Sequence, residues 1–190
     1  MLTIKKILMT AAGVAISSSL YASPYVELDL GASIPLDSKI IDNADASYNP
    51  TIAVTSAVGY AFNQNFRVDL EYGYQEADFD KVAGVNMDGA ASLTVHTALA
   101  NGYYNFKNST QITPFIGGGV GAAFLELNSG GSINDTVLAY QGTAGASYSV
   151  NDHLAVTGSY RYTGTEDGAF GLPNTSFSGN LVRVGMAYNF

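Results

Sequence analysis

Residues 66–74 alternate without a break. Phe66, Val68, Leu70, Tyr72 and Tyr74 fall on one face, and Arg67, Asp69, Glu71 and Gly73 on the other. A pleated strand imposes this period of two, and a helix cannot keep it. The same alternation sets Val26, Leu28 and Leu30 against Tyr25, Glu27 and Asp29. It also sets Val182, Val184, Met186, Tyr188 and Phe190 against Leu181, Arg183, Gly185 and Asn189. No helix-period stretch of comparable length follows residue 22, so the chain reads as all-β from there on.

Eight strands are predicted, over residues 24–34, 51–62, 66–75, 92–106, 112–126, 136–149, 154–164 and 178–190. The connections after the second, fourth and sixth are short (Asn63 to Asn65, Lys107 to Gln111, Val150 to His153). Those after the first, third, fifth and seventh are longer, such as Pro35 to Pro50, Glu76 to Ala91 and Thr165 to Phe177. Short turns and long loops therefore collect at opposite ends, as in an up-and-down barrel that spans a bacterial outer membrane. A repeated unit supports the hairpins: GYAFNQNFRVDLEYGY, GYYNFKNSTQITPFIGG and ASYSVNDHLAVTGSYRY each run aromatic, short polar turn, new strand.

The first 22 residues read as a secretory leader. Lys5 and Lys6 are its charged start, Ile7 to Ile16 its apolar stretch, and Ser17 to Ala22 its small-residue end. About ten apolar residues are too few for a spanning helix, which needs about 20. Two parts are expected: a leader over 1–22 and a barrel domain over 23–190. With no cysteine in the chain, the exported protein uses neither disulfides nor thiolate metal sites. Charged residues are 13% of the chain, half the roughly 25% usual for soluble domains, so something other than water covers much of the surface.

Alternation does not say which face points inward, because a soluble barrel buries the same apolar faces that a membrane barrel turns to lipid. The polar faces also carry small residues: Ala53, Ala57, Gly59, Ala98, Ala100, Gly117, Gly119, Gly121 and Gly145. A narrow interior that must also hold arginine and tyrosine needs such residues. Two aromatic girdles are expected, with Tyr60, Phe62, Phe66, Tyr148, Tyr188 and Phe190 near the short turns. Tyr72, Tyr74, Phe124, Tyr140, Tyr160 and Tyr162 lie near the long loops. In lipid the polar faces must turn in, which makes an interior ionic network of Glu27, Asp29, Arg67, Asp69, Glu71, Arg161 and Arg183. Gln75, His96, Tyr104 and Gln141 are expected beside it. Buried charges of this kind must pair, so the interior reads as a hydrogen-bonded plug, with an ion-selective passage as the alternative.

The hairpin units, the glycine-rich PFIGGGVGAAF and the ending VRVGMAYNF together resemble the small outer-membrane β-barrel family of OmpA-like transmembrane domains and opacity-type porins, over about residues 24–190. The resemblance implies an eight-stranded antiparallel barrel in the cell outer membrane, with long loops outside and both termini periplasmic. It also implies that Val182, Val184, Met186, Tyr188 and Phe190 form the signal by which the barrel-assembly machinery recognises its clients. No peptidoglycan-binding domain follows the barrel, so the cell-wall anchoring of full-length OmpA-like proteins is not expected. Family members serve as surface antigens, adhesins, membrane stabilisers or narrow pores.

The leader removed, six basic residues face 16 acidic ones, a net charge of −10. Asp37, Asp42, Asp45, Asp78, Asp80, Asp88, Asp135, Glu166 and Asp167 in the loops meet only Lys39 and Lys81 there, which argues against nucleic-acid partners. Membrane lipids, lipopolysaccharide and a host surface are the expected contacts. Gly117, Gly118, Gly119 and Gly121 lack the following helix and Lys-Ser/Thr of a phosphate loop. His96 and His153 are too far apart in the hairpins to share a metal. No catalytic, cofactor or metal site is expected. Three functions follow: a structural or adhesive surface barrel, a narrow channel for small solutes, and an outer-membrane lipid enzyme built on His96 and an interior acid.

Overall fold

The structure is a computed structural model and describes residues 22–34, 38–41, 44–48, 51–82, 85–86, 92–128, 132–166, 176 and 178–190. The predicted leader, residues 1–22, lies outside the described residues except for Ala22. Eight strands close on themselves: β1 (Ser23–Ile34), β2 (Ile52–Ala61), β3 (Phe66–Val82), β4 (Ser92–Asn105), β5 (Ile112–Asn128), β6 (Ser132–Ser149), β7 (Leu154–Thr165) and β8 (Ser178–Asn189). Each pairs antiparallel with its chain neighbour, and β1 with β8 closes the ring. Closure leaves no strand edge for hydrocarbon to meet, which is the condition for a sheet to cross a membrane.

The registers determine the tilt. A row of partners followed round from Phe66 runs through Tyr104, Ile116, Ala144, Tyr160, Val182, Ala32 and Ile52. Ala53 faces Gln75, so Ile52 returns the row to the level of Glu76, 76 − 66 = 10 residues up β3. A stagger of about ten over eight strands gives strongly tilted strands and an interior just wide enough for side chains.

The three short turns share one local cause. The side-chain oxygen of Asn63 accepts from the amide of Asn65 at 2.8 Å, that of Asn108 from Thr110 at 2.8 Å, and that of Asn151 from His153 at 2.9 Å. These are Asx turns, in which a short carboxamide stands in for a backbone carbonyl and reverses the chain in a few residues. The repeated aromatic–turn units of the sequence owe their shape to these asparagines.

At the other end the structure corrects the predicted boundaries. β3 continues to Val82, and β5 and β6 run on to Asn128 and Ser132, so the connection after β5 is not a long loop. Ser38–Ile41 and Ala44–Tyr48, within the predicted loop 35–50, are strands as well, and so is Val85–Asn86. Backbone ladders need no alternation of apolar residues, so strands can outrun the amphipathic pattern.

Outside, the apolar faces form a belt: Leu70 is 65% exposed, Val184 61% and Leu30 61%. Such a belt suits hydrocarbon and not water. Inside, the core of the barrel holds the polar faces.

β4 inverts the expectation. Leu99, Asn101 and Tyr103 point inward, whereas Ala98, Ala100 and Tyr104 face outward and His96 belongs to that outer row. Ala98, Ala100, His96 and Tyr104 are therefore not interior residues. A one-residue shift in phase exchanges the faces of a whole strand, and both faces of β4 mix apolar and polar residues too evenly to show which shift is right.

Candidate functional site

The candidate site is the lumen. Its side chains come from every strand, each placed by the inward half of the pleat. Several of the large ones lie directly opposite a glycine in the register: Tyr25 opposite Gly59, Tyr103 opposite Gly117, and Asp29 opposite Gly185. A Cβ at those glycines would run into the Tyr25 ring, the Tyr103 ring and the Asp29 carboxylate respectively. Here glycine is required for close approach, leaving volume for the residue across the ladder.

Arg67 lies nearest the short turns. Its guanidinium sits 4.3 Å from the ring centre of Tyr103, 5.0 Å from Phe115 and 5.3 Å from Tyr25, and donates to Glu27 Oε2 at 2.9 Å. A cation among three aromatic faces, with a carboxylate on its open side, recovers part of the hydration it gives up. The Tyr25 hydroxyl donates to Asp69 Oδ2 at 2.8 Å, and Asn101 Nδ2 donates to Asp69 Oδ1 at 2.7 Å. Among the described residues Asp69 has no ion-pair partner of its own; neutral donors hold it. Gln141 donates to Asn101 Oδ1 at 2.6 Å, so the donors of this chain all aim toward Asp69.

Mid-lumen, Arg161 grips Glu71 with both terminal nitrogens, at 2.5 and 2.6 Å, while its Nε donates to Thr143 Oγ1 at 3.3 Å. Paired, bidentate geometry of this kind is the strongest arrangement two such groups can make. Arg183 bridges Asp29 Oδ2 at 3.2 Å and Glu71 Oε2 at 3.4 Å, and donates to Thr55 and Ser159 hydroxyls. Thr55 and Thr157 hydroxyls complete the shell of Asp29. Arg161 and Arg183 are each 3% exposed and Glu71 is 5%. Leu99, Ala123, Leu125, Ala139 and Leu181 are buried as well, and at the long-loop end Thr51 and Asn180 are buried beside them.

The seven residues of the predicted ionic network all face the lumen, in two ionic groups, Arg67 with Glu27 and Arg161 and Arg183 with Glu71 and Asp29, while Asp69 is held by Tyr25 and Asn101. Gln75 and Gln141 also face inward; Gln75 donates to Thr51 Oγ1 at 2.9 Å. Sequence reasoning missed Tyr25, Tyr103, Phe115, Asn101 and the shell of threonines. The inward phase of Tyr25 was visible in β1, but the partners of a lumen side chain come from distant strands.

His96 does not meet an interior acid. Its Nδ1 lies 2.7 Å from the Tyr72 hydroxyl on the outer face, so the His96–acid dyad is not formed. His153 sits at the opposite end, its Nδ1 3.0 Å from the Asn189 carbonyl and its ring stacked on Tyr188. Val182, Val184, Met186, Tyr188 and Phe190 form one outward row on β8, and the Phe190 amide donates to the Pro24 carbonyl at 3.1 Å. The other girdle aromatics are exposed on the outer face apart from Tyr60, which is half-buried beside Phe62.

Comparison with known proteins agrees with this architecture. The outer membrane protein PagN of Salmonella typhimurium is 30% identical over 131 residues, 56% of this chain and 54% of that protein, so the match spans about half of that relative. A protein of Rickettsia canadensis named as a candidate adhesin is 27% identical over 95% of this chain and 92% of its own length. The crystal structure of neisserial surface protein A superimposes with a TM-score of 0.65 at 18% identity, covering 89% of this chain and 99% of that one. At that identity the likeness speaks for the fold alone. The family model described as "Outer membrane protein beta-barrel domain" matches residues 7–190, and the chain belongs to that family.

Proposed function

We propose that this outer-membrane barrel is a surface protein with an adhesive role, that its lumen is a plug, and that its long loops are extracellular with both termini periplasmic. The observation that carries the reading is the contrast between the two ends of the barrel. One ends in tight asparagine turns. At the other, strands continue past the aromatic girdle and two predicted loops share a sheet: Ala44–Tyr48 pairs with β3 through Ala46 and Val82, and Val85 also pairs with Val82. Lys39 pairs with Asp45 and Lys81 with Ser47 within that sheet. The filled lumen supports a role at the surface over one in transport, and the Rickettsia relative's name points the same way.

The same reading takes residues 1–22 as a cleaved leader and the β8 row ending in Phe190 as the signal for the barrel-assembly machinery. Membrane lipids and lipopolysaccharide surround the barrel, and the ligand is a host surface. Deleting 35–50 together with 76–91 is expected to abolish binding to host cells while heat-modifiable migration persists. Undiminished binding would overturn the adhesive role. The narrow channel is the second reading, favoured by the charged lumen. Stepwise conductance of the purified barrel in a planar bilayer would establish it in place of the plug. No catalytic role is assigned, and unchanged lipid A on overexpression is the expected outcome.

A further inference from the structure

His96 is a polar, ionisable group on the belt that faces lipid. It lies on the outer row of β4, with Ala98 toward the middle of the membrane and Thr94 toward the long-loop end. Its partners in the register are Tyr74 on β3 and Phe124 on β5. The ring is half-buried, with centroids 5.9 Å from Tyr72 and 5.2 Å from Tyr74. The Tyr72 hydroxyl is 2.7 Å from Nδ1. A phenol hydroxyl is the better donor to an imidazole nitrogen, so it donates to Nδ1 and Nε2 is left to carry the ring proton. Among the described residues nothing accepts from Nε2. An intramembrane donor without a partner is costly, and this one is held in direction by two tyrosines. Those tyrosines belong to the girdle, which marks the depth where hydrocarbon gives way to the lipid linkages.

The geometry points to His96 as a binding site for a lipid carbonyl, with Nε2–H donating to the ester or amide oxygen of an acyl linkage at the hydrocarbon boundary. Charge favours this neutral acceptor over a phosphate. Glu76 lies opposite Thr94, one residue row farther out, and its Oε2 accepts from the Tyr74 hydroxyl at 2.9 Å. A phosphate would meet that carboxylate before it reached the ring, whereas a carbonyl approaching from the hydrocarbon side does not. The bond ties β4 to one depth in the leaflet.

Bilayers of ester-linked and ether-linked phosphatidylcholine with equal chain length differ in these carbonyls and little else. Both are symmetric, so the comparison does not depend on which end of the barrel is extracellular. With the full barrel reconstituted in each, exchange of the His96 Nε2 proton, followed by 15N–1H spectroscopy, is expected to be about fivefold slower or more in the ester bilayer, as one hydrogen bond allows. The melting temperature of wild type should fall further on passing from ester to ether lipid than that of His96→Phe, which keeps the ring stack. Equal exchange in the two bilayers would overturn the assignment even if the variant failed to fold.

Discussion

Glu71 and Arg161 face one another across the full width of the barrel. β3 and β7 are four strands apart whichever way the ring is followed, and the two terminal guanidinium nitrogens each donate to one carboxylate oxygen, at 2.5 and 2.6 Å. With Arg183 joining Glu71 to Asp29, this pair links opposite walls through the centre of the lumen.

Breaking that link on one side leaves a buried charge without its partner. Glu71→Gln is expected to cost about 3 to 5 kcal/mol of stability. Replacing both residues, Glu71→Met with Arg161→Met, should cost less than the single change. Denaturant unfolding of the barrel in micelles or bilayers measures both; a single variant as stable as wild type would mean that the pair contributes no net stability.

Room for the aromatic residues around Arg67 comes from glycine. Gly117→Ala places a methyl group into the Tyr103 ring and should destabilise by about 1 to 3 kcal/mol. Tyr103→Ser in the same chain should relieve most of that strain, so the two changes are expected to be strongly non-additive in a double-mutant cycle.

The lipid-facing belt has a depth profile. Leu70→Arg, in the middle of the outer row of β3, should lower stability in bilayers by about 2 to 4 kcal/mol, and Ile52→Arg at the long-loop end of β2 by about 1 or less. Ala98→Leu tests the phase of β4: facing lipid it should be tolerated, whereas a leucine crowded into the lumen would overpack it.

If the outward row ending in Phe190 is the assembly signal, removing Phe190 should reduce the amount of barrel in the outer membrane of cells several-fold while unaided refolding in detergent is retained. Equal surface levels, read by heat-modifiable migration of membrane fractions, would show that the row serves only to meet lipid.

The eight strands, their alternation on β1, β3 and β8, and the three short turns were legible along the chain because each rests on residues within a few positions of one another. Asn63, Asn108 and Asn151 need only the next few amides. β4 was not legible, since His96 and Ala98 on one side and Leu99 and Tyr103 on the other offer too little contrast. Its phase is decided by neighbours, with Gly117 leaving space for Tyr103 and Tyr74 packing beside His96. The continuation of β3 to Val82 was hidden for a related reason: the outward apolar row ends at Tyr74, while the ladder with β4 runs on to Asp78.

Seven interior charges could be counted in advance, and low dielectric required that each be ion-paired or hydrogen-bonded, as Asp69 is by Tyr25 and Asn101. Their partners were another matter. Arg161 and Glu71 are 90 residues apart, and their meeting depends on closure of the ring and on the ten-residue stagger summed over eight registers. The sequence by itself determined a sheet of two-faced strands, because period and turn chemistry are local, and the small and charged residues of the polar faces set those faces inward. Only the tertiary structure decided which charges touch, since that position is the cumulative result of every strand pairing around the barrel.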